Sequence, residues 1–382
     1  MRLLFPYMAR WHAVNWTRYH SLLHTLAGMG HEIDILQPPP LDSMETNYQE
    51  IEARTHERVY VHDVFIPDFF WRRRFFLDKL VKKAVYCIAA TRVVRSMITN
   101  GSYDVLLLYN IPQWPFSAIR GPLIVFDYAD DYIDMLGKEL GPLRNKAVLA
   151  FAKMLLTQMM RRARLVLSVS NELARSGPVS MKVLPNGVES AMLNETPKTV
   201  PCDIKNEGRP IVGFVGSFEY FIDFDVILGA AQLCPDIHFL LVGTGRDFEN
   251  VKNKIIAKRL SNVELTGGVA HNEVFGYIGA MDICLNIFKP LPVSHRACPI
   301  KLFEYWSQKK PVISTRLSEL AHVDGGWLYY ADTGSEVAAT IRLVLRNPGA
   351  ARDRALRAYS AVKERYTWES IAQSFVNHVA VA

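Results

Sequence analysis

Apolar positions in the opening stretch of the chain switch between two periods. Met1 to Phe5 is a short run with the spacing of a strand, and an irregular loop follows to Thr17. Leu22, Leu23, Leu26 and Met29 then recur at helical spacing, Gly30 closes the helix, and Glu32 to Leu36 reads again as a strand. This is a β-α-β unit. Later runs at Val105 to Leu108, Leu123 to Phe126 and Leu165 to Val169 are leucine-rich or β-branched and bounded by turn residues, as expected of strands buried on both faces of a parallel sheet.

A stretch with Glu195, Thr196, Pro197, Pro201 and Gly208 is rich in breakers and carries no period, so the interdomain linker is placed there. Alternation then restarts: strand Ile211 to Val215, helix Asp225 to Leu233, strand His238 to Val242, helix Phe248 to Leu260, strand Asn262 to Leu265, helix Asn272 to Met281, strand Ile283 to Ile287. A helix near Lys301 to Ser307, a strand Pro311 to Ser314 and a helix Ser335 to Arg346 complete a second doubly wound set. The predicted domains are residues 1–195, with the segment 366–382 packing back on them through Trp368, Ile371 and Phe375, and residues 208–365.

Composition adds three constraints. With 382 residues, 49% of them hydrophobic and 21% charged, each half is long enough to bury its own core. No run of about 18 apolar residues occurs, and no signal-peptide pattern is read at the N-terminus. The five cysteines, Cys87, Cys202, Cys234, Cys284 and Cys298, lack the spacing of a zinc or redox pair, which points to a cytoplasmic protein. Residues 1–190 hold 23 Lys and Arg against 18 Asp and Glu, whereas residues 191–382 hold 21 against 20, so the basic excess belongs to the first half. Such a charge fits a membrane surface, a phosphorylated acceptor or nucleic acid, and does not choose among them.

Candidate chemistry sits after the strands of the second half. Gly216-Ser217, Gly243-Thr244-Gly245 and Gly267-Gly268 follow three successive strands. Any one of these loops is equally a plain strand end; three in consecutive β-α connections point to a nucleotide crevice, where backbone N–H groups at helix starts meet phosphate oxygens. In Cys298-Pro299-Ile300-Lys301-Leu302-Phe303-Glu304-Tyr305, Lys301 and Glu304 stand three apart at a helix start and share one face. In isolation that is a solvated Lys–Glu pair; between a strand and Lys310-Pro311-Val312-Ile313-Ser314 it suits a diphosphate and a ribose.

These motifs resemble glycosyltransferase family 4 and its relatives of the GT-B fold, whose second domain reads Pro-x-Lys-x-x-Glu-Tyr followed by a Lys-Pro-Val-Ile strand. The resemblance covers nearly all of residues 210–347, including Leu241-Val242-Gly243-Thr244-Gly245 and Met281-Asp282-Ile283-Cys284-Leu285-Asn286. It implies an α/β protein of GT-B class, two doubly wound Rossmann-like domains facing a central cleft. It further implies that Glu304 binds the ribose, Lys301 and Ser217 the diphosphate and the main chain near Val269 the base, with Gly216, Gly243, Gly245 and Ile300 lining the donor. The family's usual glutamate eight positions before Glu304 is here Arg296, and the loop after Val215 offers Glu219, Tyr220 and Asp223 in place of the usual Arg and Lys. With His295 beside it, Arg296 suggests a donor bearing a carboxylate, a uronic acid, because Arg grips carboxylates in a bidentate fork.

In the first half, Phe126-Asp127-Tyr128-Ala129-Asp130-Asp131 follows a strand. One of its acids suffices as a helix N-cap; Asp130 is the candidate catalytic residue, since the resemblance extends to xanthan-type glucuronosyltransferases, in which an Asp of a similar loop acts as general base. His12, with Asn15 and Arg18 in the first loop, is a second candidate. Trp71, Arg72, Arg73, Arg74, Lys82 and Lys83 belong to a stretch, residues 69–95, in which Phe69, Phe70, Phe75 and Phe76 interleave with cations, as at the interface of an anionic bilayer.

The reading is thus a metal-independent hexosyltransferase of polysaccharide biosynthesis, with no cofactor beyond its nucleotide-diphosphate sugar, UDP- or GDP-linked. Its acceptor is a lipid-linked or envelope glycan and its seat the inner, cytoplasmic membrane face; nucleic acid is not a partner, for want of any binding motif. A nucleotide-sugar 2-epimerase-like isomerase and a catalytically silent nucleotide-binding relative are the rivals.

Overall fold

Seven strands make the first sheet: β1 (Arg2–Pro6), β2 (Glu32–Gln37), β3 (Val59–Asp63), β4 (Val105–Leu108), β5 (Leu123–Tyr128), β6 (Leu165–Ser168) and β7 (Lys182–Val183). Six make the second: β8 (Ile211–Val215), β9 (His238–Val242), β10 (Val263–Gly267), β11 (Ile283–Asn286), β12 (Val312–Ser314) and β13 (Tyr329–Tyr330). The computed structural model describes residues 1–13, 16–40, 48–73, 78–141, 145–194, 204, 208–270 and 273–382. All pairings within both sheets are parallel, in the orders β3-β2-β1-β4-β5-β6-β7 and β10-β9-β8-β11-β12-β13.

Both orders reverse direction once, between β1 and β4 and between β8 and β11. At such a switch point the connections leave in opposite directions and open a crevice beyond the strand ends. The central strands are dry: Leu3, Leu4, Phe5 and Val105–Leu108 in the first sheet, and Phe214, Phe239, Leu240 and Cys284 in the second, have no exposure. Burial on both faces explains why these strands are uninterrupted apolar runs.

The chain separates into one unit of Met1–Pro185 with Ile371–Ala382 and another of Asn186–Ser370. The division therefore falls ahead of the breaker-rich stretch, most of which, residues 195–203 and 205–207, lies outside the described residues. Residues just after Pro185 are tied to the second unit: Val188 bridges Thr367, and the Asn186 side chain donates to the Cys298 carbonyl at 2.7 Å. The last helix, Trp368–Ala380, starts in the second unit and enters the first at Ile371, where Ile371, Ala372 and Phe375 are buried.

Cys87, Cys234, Cys284 and Cys298 are buried and not joined in disulfides among the described residues, and Cys202 lies outside those residues. No helix among the described residues is long and apolar enough to cross a membrane.

Candidate functional site

The loops after β8, β9 and β10 pack on one another through glycine. Gly216 donates its N–H to Val242 O at 3.0 Å, Gly243 donates to Gly267 O at 2.9 Å, and Phe218 donates to Thr244 O at 3.0 Å. Gly216 and Gly243 take φ values of +145° and +128°, which L side chains rarely adopt. At Gly243 a Cβ atom would lie 2.1 Å from Gly216 O, and at Gly245 2.5 Å from Phe218 O. Gly268 abuts Thr244 from the third loop, with Val269 half-buried after it. Ser217 is exposed at the tip of the first loop.

Lys301 reaches this cluster from the helix Ile300–Ser307, which begins after Pro299. A Cβ at Gly216 would stand 3.1 Å from its Cε and 3.2 Å from its Nζ, so a glycine here leaves room for the ammonium group. That ammonium lies 4.4 Å from the centre of the Phe214 ring and 5.0 Å from that of Phe288. Two aromatic faces thus lie beside the cation. Withdrawal from water lowers the Lys301 pKa and raises that of Glu304; their mutual attraction opposes both shifts, and Glu189 adds to the rise at Glu304. Both side chains remain half-exposed, so the pair sits at the rim of the loop cluster and is open to an incoming ligand. The helix is fixed from beneath by the buried Tyr305, whose hydroxyl accepts the Val215 N–H at 2.9 Å and holds the end of β8 against it.

The structure therefore brings Gly216, Ser217, Gly243, Gly245, Val269, Ile300, Lys301 and Glu304 to one end of the second sheet. Arg296 ends the neighbouring short helix, Pro292–Arg296, half-exposed. His295 is committed elsewhere: its Nδ1 accepts the Ser318 N–H at 3.2 Å and lies 3.1 Å from the Ser318 hydroxyl. The expectation of metal independence took the chain to lack an Asp-x-Asp motif; it contains one, Asp223-Phe224-Asp225. Asp223 caps the helix Phe224–Leu233 through the Val226 N–H, and Asp225 pairs with Lys254 at 2.7 Å, so both carboxylates have structural partners.

In the first unit the three acids after β5 separate into distinct roles. Asp127, fully buried, is held by Arg18 in a fork, with Nε at 3.0 Å from Oδ2 and Nη2 at 3.2 Å from Oδ1. Arg18 also donates to Leu184 O and Pro185 O. This corrects the placement of Arg18 in an open loop: it begins the helix Arg18–Gly28 and is buried, because its guanidinium neutralises a carboxylate that the sheet has already enclosed. Asp131 caps the helix Tyr132–Glu139, accepting the Asp134 N–H at 3.2 Å. Asp130 alone of the three is exposed. Its carboxyl is raised to about 7, by the enclosing protein first and by the charges of Asp127 and Asp131, with Arg18 opposing.

His12 is not joined to that group. It lies in the turn Trp11–Ala13, half-buried among Glu52, Arg10 and Asp63, and withdrawal from water lowers its pKa. Asn15 falls outside the described residues. Between β1, β4 and the first helix lies an aromatic cluster that sequence reasoning did not anticipate: Tyr7, Tyr19 and Tyr109 around Phe5, with Trp11 stacked on His20 at 3.8 Å. The only signal was the density of aromatics between Phe5 and His20.

The predicted membrane segment is partly overturned. Trp71 is buried, its indole N–H donating to Pro39 O at 3.0 Å, because a buried indole needs an acceptor and the chain provides one there. Phe69 and Phe70 take the outward positions instead. Arg72 and Arg73 are exposed, Lys82 pairs with Asp78 at 2.9 Å, and Lys83 is half-exposed. Arg74, Phe75 and Phe76 lie outside the described residues.

Residues 209–347 match the family described as Glycosyl transferases group 1. A Bacillus subtilis (strain 168) protein, TuaH, named as a glycosyltransferase of teichuronic acid biosynthesis, is 31% identical over 156 residues, 40% of this chain and 39% of that protein. The chain thus spans well under half the length of that relative. Among solved structures, sucrose-phosphate synthase from Thermosynechococcus elongatus superposes with a TM-score of 0.76 over 100% of both chains at 14% identity. Anabaena Alr3699/HepE in complex with UDP-glucose gives 0.72 over 100% of both chains, also at 14% identity. At such identity the likeness is one of fold. The chain has the GT-B fold, two doubly wound Rossmann-like domains, and its residues 209–347 match a glycosyl transferases group 1 domain.

Proposed function

We propose that this protein is a glycosyltransferase that takes its sugar from a nucleotide-diphosphate donor bound at the end of the second sheet. The observation that carries the reading is a stack of three glycine loops whose first member, at Gly216, lies against the Lys301 ammonium, within the segment that matches the family. The Lys301 ammonium, the exposed Ser217 hydroxyl and the start of the helix Ile300–Ser307, gathered at strand ends, suit a diphosphate. Glu304, one turn along the same helix, accepts the ribose hydroxyls; main chain near Val269 meets the base; Ser217 donates to a phosphate oxygen. The departing diphosphate is stabilised by Lys301 and by helix N-termini, without a metal.

Asp130 is the group proposed to orient the acceptor hydroxyl and take its proton. Asp127 and Asp131 are held by structural partners, whereas Asp130 is exposed with a raised pKa, as a base working near neutrality requires. A general base acting on the acceptor hydroxyl accords with inversion at the sugar carbon. Arg296 stands where family 4 carries a glutamate, and we assign it to a carboxylate on the donor sugar; the name of the Bacillus relative, which refers to teichuronic acid, accords with a uronic acid. The acceptor is a lipid-linked or envelope glycan presented at the cytoplasmic membrane face, where Phe69, Phe70, Arg72 and Arg73 give the first unit an apolar and basic edge.

Thermal unfolding against UDP-, GDP- and ADP-sugars tests the donor site, because a ligand at 100 times its Kd adds about 2.7 kcal/mol. One nucleotide class is expected to raise the midpoint in the wild type and not in Glu304→Ala. An equal rise in both variants removes Glu304 from the site, and no rise with any donor removes the proposal. Binding without transfer to any membrane glycan identifies a silent relative.

A further inference from the structure

The helix Lys146–Arg162 in the first unit is apolar on the wrong side. It buries Ala152, Leu156, Met159 and Met160 against the unit. At 3.6 residues per turn the opposite line carries Ala147, Ala150, Phe151 and Met154. Phe151 is 58% exposed and Met154 54%, with Val148 beside them at 45%. A helix with one buried face normally turns polar residues to water. Here the first three turns do not, and only Gln158 and Arg161 restore the pattern. The helix has no acidic residue in its 17, while Lys146, Lys153, Arg161 and Arg162 give it four cations.

The topology relates this face to the aromatic edge at Phe69 and Phe70. Connections from β3 to β4, β4 to β5 and β5 to β6 all run the same way across the sheet, so right-handed crossovers put them in one layer. The contacts agree: the turn Ile111–Ala118 lies between the helices Asp78–Asn100 and Lys146–Arg162, and Trp114 donates to Gln158 at 2.8 Å. Each of these helices runs back against the strands, so each begins at the strand-end edge where Asp130 lies. Phe69 and Phe70, 71% and 52% exposed, precede the start of the first; Val148 and Phe151 occupy the start of the second. Two outward apolar clusters, each with cations, therefore stand at the same end of one layer.

We propose that the outward face of Lys146–Arg162 is a second contact with an anionic lipid bilayer. Together with the Phe69–Phe70 edge it lays this layer on the headgroups, with Phe151 and Met154 entering the acyl boundary and Lys146 and Lys153 meeting lipid phosphates. Charge selects this occupant over an apolar protein partner, since Lys146 and Lys153 flank the apolar face on a helix without an acidic residue and complement a negative surface. The inference rests on the membrane-facing acceptor proposed above, and it adds that two separated contacts fix the orientation of the Asp130 edge, which a single contact leaves free to swivel.

Co-sedimentation of the full chain with vesicles of phosphatidylglycerol and phosphatidylcholine, and of phosphatidylcholine alone, tests it. The wild type is expected to bind the anionic vesicles, and Phe151→Ser with Met154→Ser to lower the partition coefficient at least tenfold without changing the thermal midpoint. Lys153→Glu, which leaves the apolar face intact, is expected to weaken binding to the anionic vesicles and leave the neutral ones unaffected. If the Phe151/Met154 variant binds as the wild type does while Phe69→Ser with Phe70→Ser does not, the membrane reading stands and the second contact is overturned. If the wild type binds neither vesicle, both are overturned. If the wild type sediments as a dimer without lipid and the Phe151/Met154 variant as a monomer, the face joins two copies and the proposal fails.

Discussion

Adding one methyl group at Gly243 tests the construction of the candidate donor site without touching a charged residue. The new carbon would sit 2.1 Å from the Gly216 carbonyl oxygen and 3.0 Å from its carbonyl carbon. Non-bonded carbon atoms rest at roughly 3.5–4.0 Å, so the two loops must part by about 1 Å. Neither side yields cheaply, because the obstructing atoms are backbone and both glycines hold positive φ. A side chain in so sparsely populated a conformation costs about 1–3 kcal/mol, and overpacking about 1–3 more. Gly243→Ala is therefore expected to lose about 2–6 kcal/mol, a large share of a typical stability of about 5–15. Gly326→Ala is the control: φ is +83°, nothing lies within 4 Å of the added atom, and only the backbone penalty of about 1–2 kcal/mol applies. Urea unfolding followed through the tryptophans of the second unit, Trp306, Trp327 and Trp368, separates the two, and titration with UDP follows the site itself. Nucleotide affinity should fall at least tenfold in Gly243→Ala and stay unchanged in Gly326→Ala. Equal unfolding midpoints for the two variants, with nucleotide binding intact in both, would refute the loop argument.

Asp130→Asn is expected to lower transfer by about 10²–10⁴ while leaving nucleotide binding intact, measured by donor consumption with acceptor present. In the wild type the rate should fall as pH drops through about 7, where the carboxylate takes up a proton, and the variant should lack that limb. Arg18→Met leaves Asp127 buried and unpaired and should cost about 3–5 kcal/mol in urea unfolding, since both side chains are almost wholly enclosed. Burial lowers the His20 pKa to about 4 from an ordinary value of 6.5. The unfolded chain therefore takes up that proton first, so stability falls as pH drops from about 6.5 towards 4, and His20→Asn should flatten the fall in midpoint between those limits.

The inner strands were legible in sequence because sheets covered on both faces admit only apolar residues. Val105–Leu108, Ile211–Val215 and His238–Val242 fall where the pattern put them. The missed strands are those the pattern cannot mark: β7 and β13 are two residues long, and β3 lies at an edge, its residues Tyr60, His62 and Asp63 less buried than Val59. The helix Pro348–Arg365 escaped notice because its buried stripe is Ala351, Ala355, Ala358 and Ala361, too small to stand out by hydrophobicity. Lys146–Arg162 escaped for the opposite reason: apolar residues on its outward face blur the period. At the candidate site, Lys301 and Glu304 were found because a helix start after a strand constrains spacing. The aromatic bed of Phe214 and Phe288 was not, since contacts between residues far apart in sequence leave no local trace.

The division of the chain gives its synthesis an order. The first unit needs Ile371–Ala382, whose Ile371, Ala372 and Phe375 complete its buried surface, whereas the second is one unbroken segment. At about 5–20 residues per second, a ribosome leaving Pro185 takes roughly 10–40 s to reach Ile371. Throughout that interval the nascent first sheet waits with an unfilled apolar groove, while the later unit is already free to close. Folding from the N-terminus forward is thus inverted in this chain: the half translated first is the half finished last, and chaperone binding on stalled nascent chains should concentrate on residues 1–185.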